Sequence, residues 1–215
     1  GDNSGQKPPA GNTDQKPPFD NNENQTTKPS ENTGTKDMDA RLRVPKTSYS
    51  KAYGSKAFSL GATARTRIAY KSSNTKVAQV NAKGKVTVKK CGKAVITVMA
   101  KDSGYKTATK KVTVRVVPKK AKLQSVKSKK AGQLSVSWKR QKEADGYLVE
   151  YSADKKFRKN VKKATLKKNK TTSVTLKKLK KGKKYYVRVK AYKIIDKKKA
   201  CGSASKSIAK GIKKK

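Results

Sequence analysis

The chain has 215 residues, of which 58 are Lys or Arg and 13 are Asp or Glu, so its formal net charge at pH 7 is +45. It contains no His, two Cys and one Trp, and about a third of its residues are hydrophobic. This length predicts one or two domains. Without His and with few acids, metal coordination and acid–base catalysis lack their usual side chains. We therefore expect no enzyme, no cofactor and no metal site.

The charge is distributed unevenly along the chain. Residues 1–39 have a net charge of −3, residues 40–118 a net charge of +18 and residues 119–215 a net charge of +30. The first of these segments contains Pro8-Pro9 and Pro17-Pro18 among Gly, Asn, Asp and Thr, a composition typical of a disordered linker. The chain has no run of about 20 apolar residues, so we expect no membrane-spanning segment. The predicted divisions are a linker at 1–39 and two domains at 40–118 and 119–215.

Short β-branched runs begin in the second of these segments. Val86-x-Val88, Val95 to Val98 and Val112 to Val116 have strand length, and glycines separate them. Strands spaced about every ten residues are typical of an antiparallel β-sandwich.

A second series of strands follows Pro118-Lys-Lys-Ala121, which we interpret as a hinge. Leu134 to Trp138 and Gly146 to Tyr151 alternate apolar and polar residues, and a third such segment runs from Tyr185 to Ala191. Alternation places one set of side chains on one face of each strand. The sequence thus predicts an all-β protein with two tandem sandwiches.

Both domains resemble known families. The turn Ser72-Ser-Asn, the following Val77-Ala-Gln-Val80, and Cys91-Gly-Lys with the strand to Val98 resemble the group 2 bacterial immunoglobulin-like domain. Trp138, the Gly146 to Tyr151 strand and the block from Leu179 to Ala191 resemble a fibronectin type III domain. The second resemblance implies a tyrosine corner at Tyr185, in which the hydroxyl bonds to upstream backbone. No Arg-Gly-Asp triplet is present to support integrin-type adhesion.

The aromatic residues divide by strand parity. Trp138, Tyr147, Tyr151 and Tyr185 fall on inward faces and are interpreted as core. Tyr186 and Tyr192 have the opposite parity from Tyr185, so we predict that they are exposed and are the aromatic candidates for binding.

Cys91 and Cys201 lie in different domains. We interpret them as isolated thiols, with a disulfide between the domains as the alternative.

The lysines carry the strongest functional signal. Fifty of the 58 basic residues are Lys and eight are Arg, and lysine attracts anions without the bidentate geometry of arginine. A net charge of about 2 to 8 is sufficient for the solubility of a small domain. The excess predicts association with a polyanion, and the candidate site is the turn around Gly182, formed by Lys177, Lys178, Lys180, Lys181, Lys183 and Lys184. The segment from Lys155 to Lys168 has equal density.

The two resemblances together imply an exported protein of Gram-positive bacteria. We expect a monomeric, extracellular spacer or adhesion unit at the cell surface or cell wall. Its expected partners are an anionic wall polymer such as teichoic acid, a host or bacterial surface glycan or protein, and an upstream domain of the same protein. The alternatives are a passive stalk and a sequence-independent binder of nucleic acid or another polyanion. No recognition helix or RNA-binding motif predicts a specific nucleic-acid partner.

Overall fold

The computed structural model describes residues 38–215, which form two successive β-sandwiches. Within this range every regular element is a strand, and no helix is long and apolar enough to span a membrane. The predicted all-β class with tandem sandwiches is confirmed.

The first sandwich contains nine strands. They are β1 (Met38–Asp39), β2 (Ser48–Ala52), β3 (Phe58–Ser59), β4 (Ile68–Ser72), β5 (Ala78–Val80), β6 (Lys85–Val88), β7 (Gly92–Ala100), β8 (Tyr105–Lys106) and β9 (Ala108–Val117). One sheet has the order β2-β9-β7-β4 and the other the order β3-β6-β5, while β1 pairs with β8. The pairings of β1 with β8 and of β2 with β9 are parallel.

The second sandwich contains eight strands. They are β10 (Leu123–Lys127), β11 (Leu134–Trp138), β12 (Gly146–Ser152), β13 (Lys162–Leu166), β14 (Ser173–Leu176), β15 (Lys184–Ile195), β16 (Lys198–Cys201) and β17 (Ile208–Gly211). One sheet has the order β10-β11-β14, and the other has the order β13-β12-β15-β16 with β17 also paired to β15. All of these pairings are antiparallel.

Each sandwich has its own hydrophobic core. In the first, alternate residues of β7 and β9 are buried, among them Ile96, Val98 and Val114, and they pack with residues of the opposite sheet. In the second, Trp138 and Tyr147 are buried with ring centroids 5.3 Å apart. The alternation of β-branched and aromatic residues with polar ones explains both cores, since period two sends one set to the interior. The core positions predicted for Trp138 and Tyr147 are confirmed.

A glycine hairpin joins β5 to β6. Gly84 has φ +71°, and a Cβ at this position would lie 2.7 Å from the Tyr70 ring. Both the left-handed backbone and the close approach of Tyr70 therefore favour glycine here.

The predicted linker at residues 1–39 needs a correction at its end. Met38 and Asp39 form β1 and pair with Tyr105 and Lys106. The first folded domain therefore begins two residues before the predicted boundary at residue 40. The rest of the predicted linker lies outside the described residues. The other domain boundaries stay predictions.

The segment after β9 is held by contacts with the second sandwich. Pro118 is buried, and its carbonyl oxygen lies so close to Gly202 that a Cβ there would overlap it. The N–H of Ala121 donates to the Ser203 carbonyl at 3.4 Å, and the side chain of Gln141 donates to the Lys119 carbonyl at 3.0 Å. The predicted hinge is therefore an anchored segment.

Candidate polyanion interface

The six predicted lysines surround the turn between β14 and β15. All six are exposed, from Lys177 to Lys184. The turn is fixed by its backbone: Lys183 N–H donates to the Lys180 carbonyl at 3.2 Å, and Lys178 has φ +58°. The Leu179 side chain is buried in the core and anchors the turn. Five of the predicted lysines therefore lie on this loop, and Lys184 is the first residue of β15.

The C-terminal segment lies against the same turn. The N–H of Gly182 donates to the Ile212 carbonyl at 3.0 Å, and the N–H of Ile212 donates to the Lys183 carbonyl at 2.9 Å. Lys214 packs on Gly182, where a Cβ would lie 3.3 Å from its Cε. Lys213, Lys214 and Lys215 therefore join the predicted lysines.

A third segment completes this surface. The turn between β10 and β11 contacts both others, because Leu179 N–H donates to the Gly132 carbonyl at 3.0 Å and Lys213 N–H donates to the Ser128 hydroxyl at 3.0 Å. This turn adds two exposed lysines. We call the assembled surface the distal lysine cluster; its members are Lys129, Lys130, Lys177, Lys178, Lys180, Lys181, Lys183, Lys184, Lys213, Lys214 and Lys215.

No acidic residue occurs in the three segments that form the distal lysine cluster. Within residues 38–215, no member of the cluster forms an ion pair. Like charges held close together raise the local potential, and an anion that binds there lowers it. The cluster is therefore suited to a polymer with successive negative charges.

The segment from Lys155 to Lys168 differs because one carboxylate, that of Asp154, lies immediately before it and bonds to its backbone. The carboxylate of Asp154 accepts backbone N–H bonds from Lys156, Arg158 and Lys159 at 2.7–3.2 Å, and these bonds lower the pKa of Asp154. The density of lysines in the sequence is equal in the two segments and does not indicate which is the better anion site. The placement of this single carboxylate favours the distal lysine cluster, which has no acid in any of its three segments.

Glu150 is the most deeply buried acid among the described residues. Its carboxylate accepts from Arg188 Nε at 2.6 Å and from Lys190 Nζ at 3.2 Å. Burial opposes ionisation of this group, but the two hydrogen bonds outweigh burial and the pKa of Glu150 is lowered. Glu150 is therefore a structural anion, and it neutralises part of the charge on β15.

Two further acids pair with cations at the junction of the sandwiches. Asp196 accepts from Lys93 Nζ at 2.7 Å and from Arg115 Nη2 at 3.5 Å, which links the turn after β15 to β7 and β9. Asp145 accepts from Lys193 Nζ at 2.7 Å. The Asp196 contacts join the two sandwiches, whereas the Asp145 pair lies within the second. Ion pairs at exposed positions contribute little to stability.

The prediction of exposed aromatics is wrong for Tyr192. Its side chain is only 3% exposed, and its hydroxyl donates to the Leu166 carbonyl at 3.3 Å. Gly146 is its register partner, and a Cβ there would lie 2.6 Å from the Tyr192 hydroxyl. The missing side chain lets the ring lie across β12. Tyr186 is partly exposed, and its binding role stays a prediction.

Tyr185 is partly buried against the core, and its hydroxyl accepts from the Lys180 N–H at 3.3 Å. The predicted upstream bond of a tyrosine corner is thus present. It fixes the start of β15 beside the turn that carries the candidate lysines.

Both cysteines are free thiols, as the isolated-thiol interpretation predicted. Cys91 is buried and Cys201 is exposed. Burial raises the pKa of Cys91 to about 12, and the nearby carboxylates of Glu143 and Asp145 act in the same direction. The positive charge of Lys193 opposes this shift. The Cys91 thiol is therefore protonated at neutral pH.

Both folded parts are immunoglobulin-like β-sandwiches. Residues 59–102 match the family model of the intimin immunoglobulin-like domain, and residues 118–200 match that of the fibronectin type III domain. The chain thus carries a bacterial Ig-like domain followed by a fibronectin type III domain, in the predicted order. Domains of these types suggest a non-enzymatic surface or adhesion module, and the intimin-like match suggests a bacterial surface protein.

Solved structures show similarity at low sequence identity. "Myokine structure" is 21% identical, covers 45% of this chain and 99% of that chain, and has a TM-score of 0.37. The FN1–FN3 domains of chicken CNTN1 are 16% identical and cover 82% of this chain and 67% of that chain, with a TM-score of 0.41. The sixth fibronectin type III domain of human fibronectin type III domain containing protein 3 is 18% identical, and the match covers 45% of this chain and 86% of that chain, with a TM-score of 0.35. No curated protein matches the chain.

Proposed function

We propose that the chain is a non-enzymatic accessory module of a Gram-positive cell surface, where its distal lysine cluster associates with an anionic wall polymer such as teichoic acid. The observation that carries this proposal is the convergence of three segments that supply eleven exposed lysines and no acid. An unbalanced surface of this kind gains stability when polymer phosphates replace small counterions.

The mechanism is electrostatic and multivalent. Successive phosphates of a flexible polymer contact successive ammonium groups, and each contact releases condensed counterions. For nucleic acids, the logarithm of affinity falls with the logarithm of salt concentration by about 0.7 to 0.9 per phosphate contact. Lysine ammonium groups are compact point charges, so the polymer needs no fixed sugar sequence.

The test is retention of the purified chain on isolated Gram-positive walls, with and without teichoic acid, across a salt series. We expect retention to fall steeply with salt and to be lost when teichoic acid is removed. Retention that ignores salt, or that persists without teichoic acid, would contradict the proposal and favour a glycan or protein receptor.

A matched pair of variants locates the contact. The first replaces Lys177, Lys178, Lys180, Lys181, Lys183 and Lys184 by Gln. The control replaces six exposed lysines of the other dense segment by Gln: Lys155, Lys156, Lys159, Lys162, Lys163 and Lys167. Both lose six charges, so a local site predicts weaker retention for the first variant, whereas bulk attraction predicts equal retention.

Two alternatives give different results in the same assay. A passive stalk predicts no retention under any salt condition. A sequence-independent nucleic-acid binder predicts that nucleic acid competes for the surface better than teichoic acid of equal charge.

A further inference from the structure

We propose that a concave basic site beside the junction of the two sandwiches binds a phosphate group. The cavity has a volume of about 200 Å³ and is lined by residues from two segments: Lys119, Lys120, Lys122, Lys139, Arg140 and Gln141. We call it the junction pocket. It shares no residue with the distal lysine cluster and does not depend on the function proposed for that cluster.

The two segments that form the junction pocket are held together by hydrogen bonds. The N–H of Lys139 donates to the Lys122 carbonyl at 2.9 Å, and Gln141 Nε2 donates to the Lys119 carbonyl at 3.0 Å. Gln141 is itself buried, and its N–H donates to the Tyr147 hydroxyl at 2.7 Å. The backbone of both pocket walls is therefore fixed before a ligand arrives, which lowers the ordering cost of binding.

The side chains that line the junction pocket carry positive charge that no carboxylate of the described residues neutralises. Its five cations are exposed, and within residues 38–215 none of them forms an ion pair. A neighbouring depression shares Lys119, Arg140 and Gln141, but it is also lined by Glu143. The carboxylate makes that depression the poorer anion site.

Arg140 supplies a directed donor. Its Nη2 donates to Asn169 Oδ1 at 3.1 Å, and Asn169 Nδ2 donates to the carbonyls of Lys142 and Ala144 at 3.2 and 2.9 Å. This chain of bonds orients the guanidinium plane, whose other N–H groups stay available. A planar guanidinium with fixed orientation matches the oxygens of a phosphate.

The size and charge of the junction pocket define the ligand class. Drug-sized ligands occupy pockets of about 300 to 1,000 Å³, so this cavity suits one or two phosphate groups and not a whole sugar repeat. Five unpaired cations exceed what a single carboxylate would balance. The ligand is a polyvalent phosphate, either free or part of a phosphate-bearing polymer.

The test uses the full chain in calorimetric titrations with two probes, inorganic pyrophosphate and a glycerol phosphodiester oligomer, at about 0.15 M salt, where exposed charges are screened beyond about 8 Å. We expect saturable binding of pyrophosphate, the oligomer or both at one site per chain that the site variant weakens. Such binding of pyrophosphate alone would indicate a free or terminal phosphate, and such binding of the oligomer would indicate a phosphate within a polymer.

The site variant combines Lys122→Gln with Arg140→Gln, and the control combines Lys155→Gln with Lys163→Gln, two exposed lysines outside both the junction pocket and the distal lysine cluster. Both remove two exposed charges. The site variant removes charge-assisted hydrogen bonds to the phosphate oxygens, and such bonds are about twice as strong as neutral ones. We expect at least a tenfold loss for the site variant and less than about twofold for the control. Absence of saturable binding of both probes, or equal losses in the two variants, would overturn the proposal.

Discussion

Buried tyrosine hydroxyls show how single polar atoms organise the second sandwich. Tyr147 is fully buried, yet its hydroxyl accepts from the Gln141 N–H at 2.7 Å and donates to the Asn169 carbonyl at 3.2 Å. It thus joins the core to both segments that surround Arg140. Buried polar groups without partners are costly, so this one side chain couples packing to the shape of the junction pocket.

Replacing Tyr147 by Phe keeps the ring but leaves the Gln141 N–H without its acceptor. An unsatisfied buried donor costs about 1 to 3 kcal/mol, and we expect the free energy of unfolding in urea to fall by that amount. Tyr185→Phe is the control, because the Tyr185 ring is only partly buried and its bond is longer, 3.3 Å. Equal losses in both variants would contradict this account.

Glu150 gives the fold a dependence on acid. Its pKa is lowered in the folded state, because hydrogen bonds from Arg188 and Lys190 outweigh the opposing effect of burial. A depressed folded pKa adds stability that is fully present above the unfolded value of about 4.3 and is lost as pH falls through the folded pKa. We expect Glu150→Gln to destabilise the protein at pH 7, and the difference from the unmodified chain to shrink below pH ~4. Urea unfolding at several pH values measures it; a difference independent of pH would exclude this role.

At the scale of elements, the sequence predicts the positions of the strands, but it does not predict which distant segments contact each other. Alternation located β11 to the residue, and it located the centres of β7, β9 and β15, because burial on one face imposes period two on the sequence. Tyr192 was mispredicted because its environment depends on Gly146, a residue of another strand. Five members of the distal lysine cluster were missed for a similar reason: hydrogen bonds between distant segments bring Lys129, Lys130 and the last three lysines to the Gly182 turn.

The two-residue turn between β15 and β16 is strained. Asp196 and Lys197 both have positive φ, at 50° and 62°, and Ile195 pairs with Lys198. This geometry is typical of a type I′ turn, which prefers Asp-Gly. We expect Lys197→Gly to raise the free energy of unfolding by about 1 kcal/mol, since glycine removes the left-handed penalty. Lys198→Gly, within β16, should lower it by roughly 0.5 to 1 kcal/mol; a loss in the turn variant would contradict the assignment.

The anchored segment after β9 depends on the absence of a side chain at Gly202. A Cβ there would overlap the Pro118 carbonyl oxygen and lie 3.1 Å from that of Lys119. We expect Gly202→Ala to cost about 1 to 3 kcal/mol, as overpacking does elsewhere. Gly211→Ala is the control, because nothing lies within 4 Å of a Cβ at that position, and its effect should stay within about 0.5 kcal/mol. Thermal unfolding of both variants tests the contact.

At the scale of the whole molecule, a net charge of +45 over 215 residues opposes compaction. Composition alone showed this excess, and the structure adds that the few described acids lie mostly in local pairs. Most of the positive charge of the described residues therefore lies unpaired on the surfaces of the sandwiches, where salt screens the repulsion between the charges.

We expect the Tm to rise when NaCl increases from about 0.01 M to about 0.15 M, as the Debye length falls from about 30 Å to about 8 Å. The variant with six Gln replacements at the distal lysine cluster should gain less, because it has less repulsion to screen. Calorimetric scans of both proteins test this. A Tm that stays constant or falls with salt would show that self-repulsion does not limit stability.

The parallel pairing of β2 with β9 sets how the first sandwich responds to a mechanical load. Ser48 to Ala52 align in register with Thr113 to Val117. A pull on the two ends of this domain draws the strands past each other along their length, so the force is shared by the hydrogen bonds of the whole ladder. In the second sandwich, the first and last strands pair antiparallel with β11 and β15, and it lacks this parallel clamp. Under tension, we therefore expect the first sandwich to resist extension more strongly than the second.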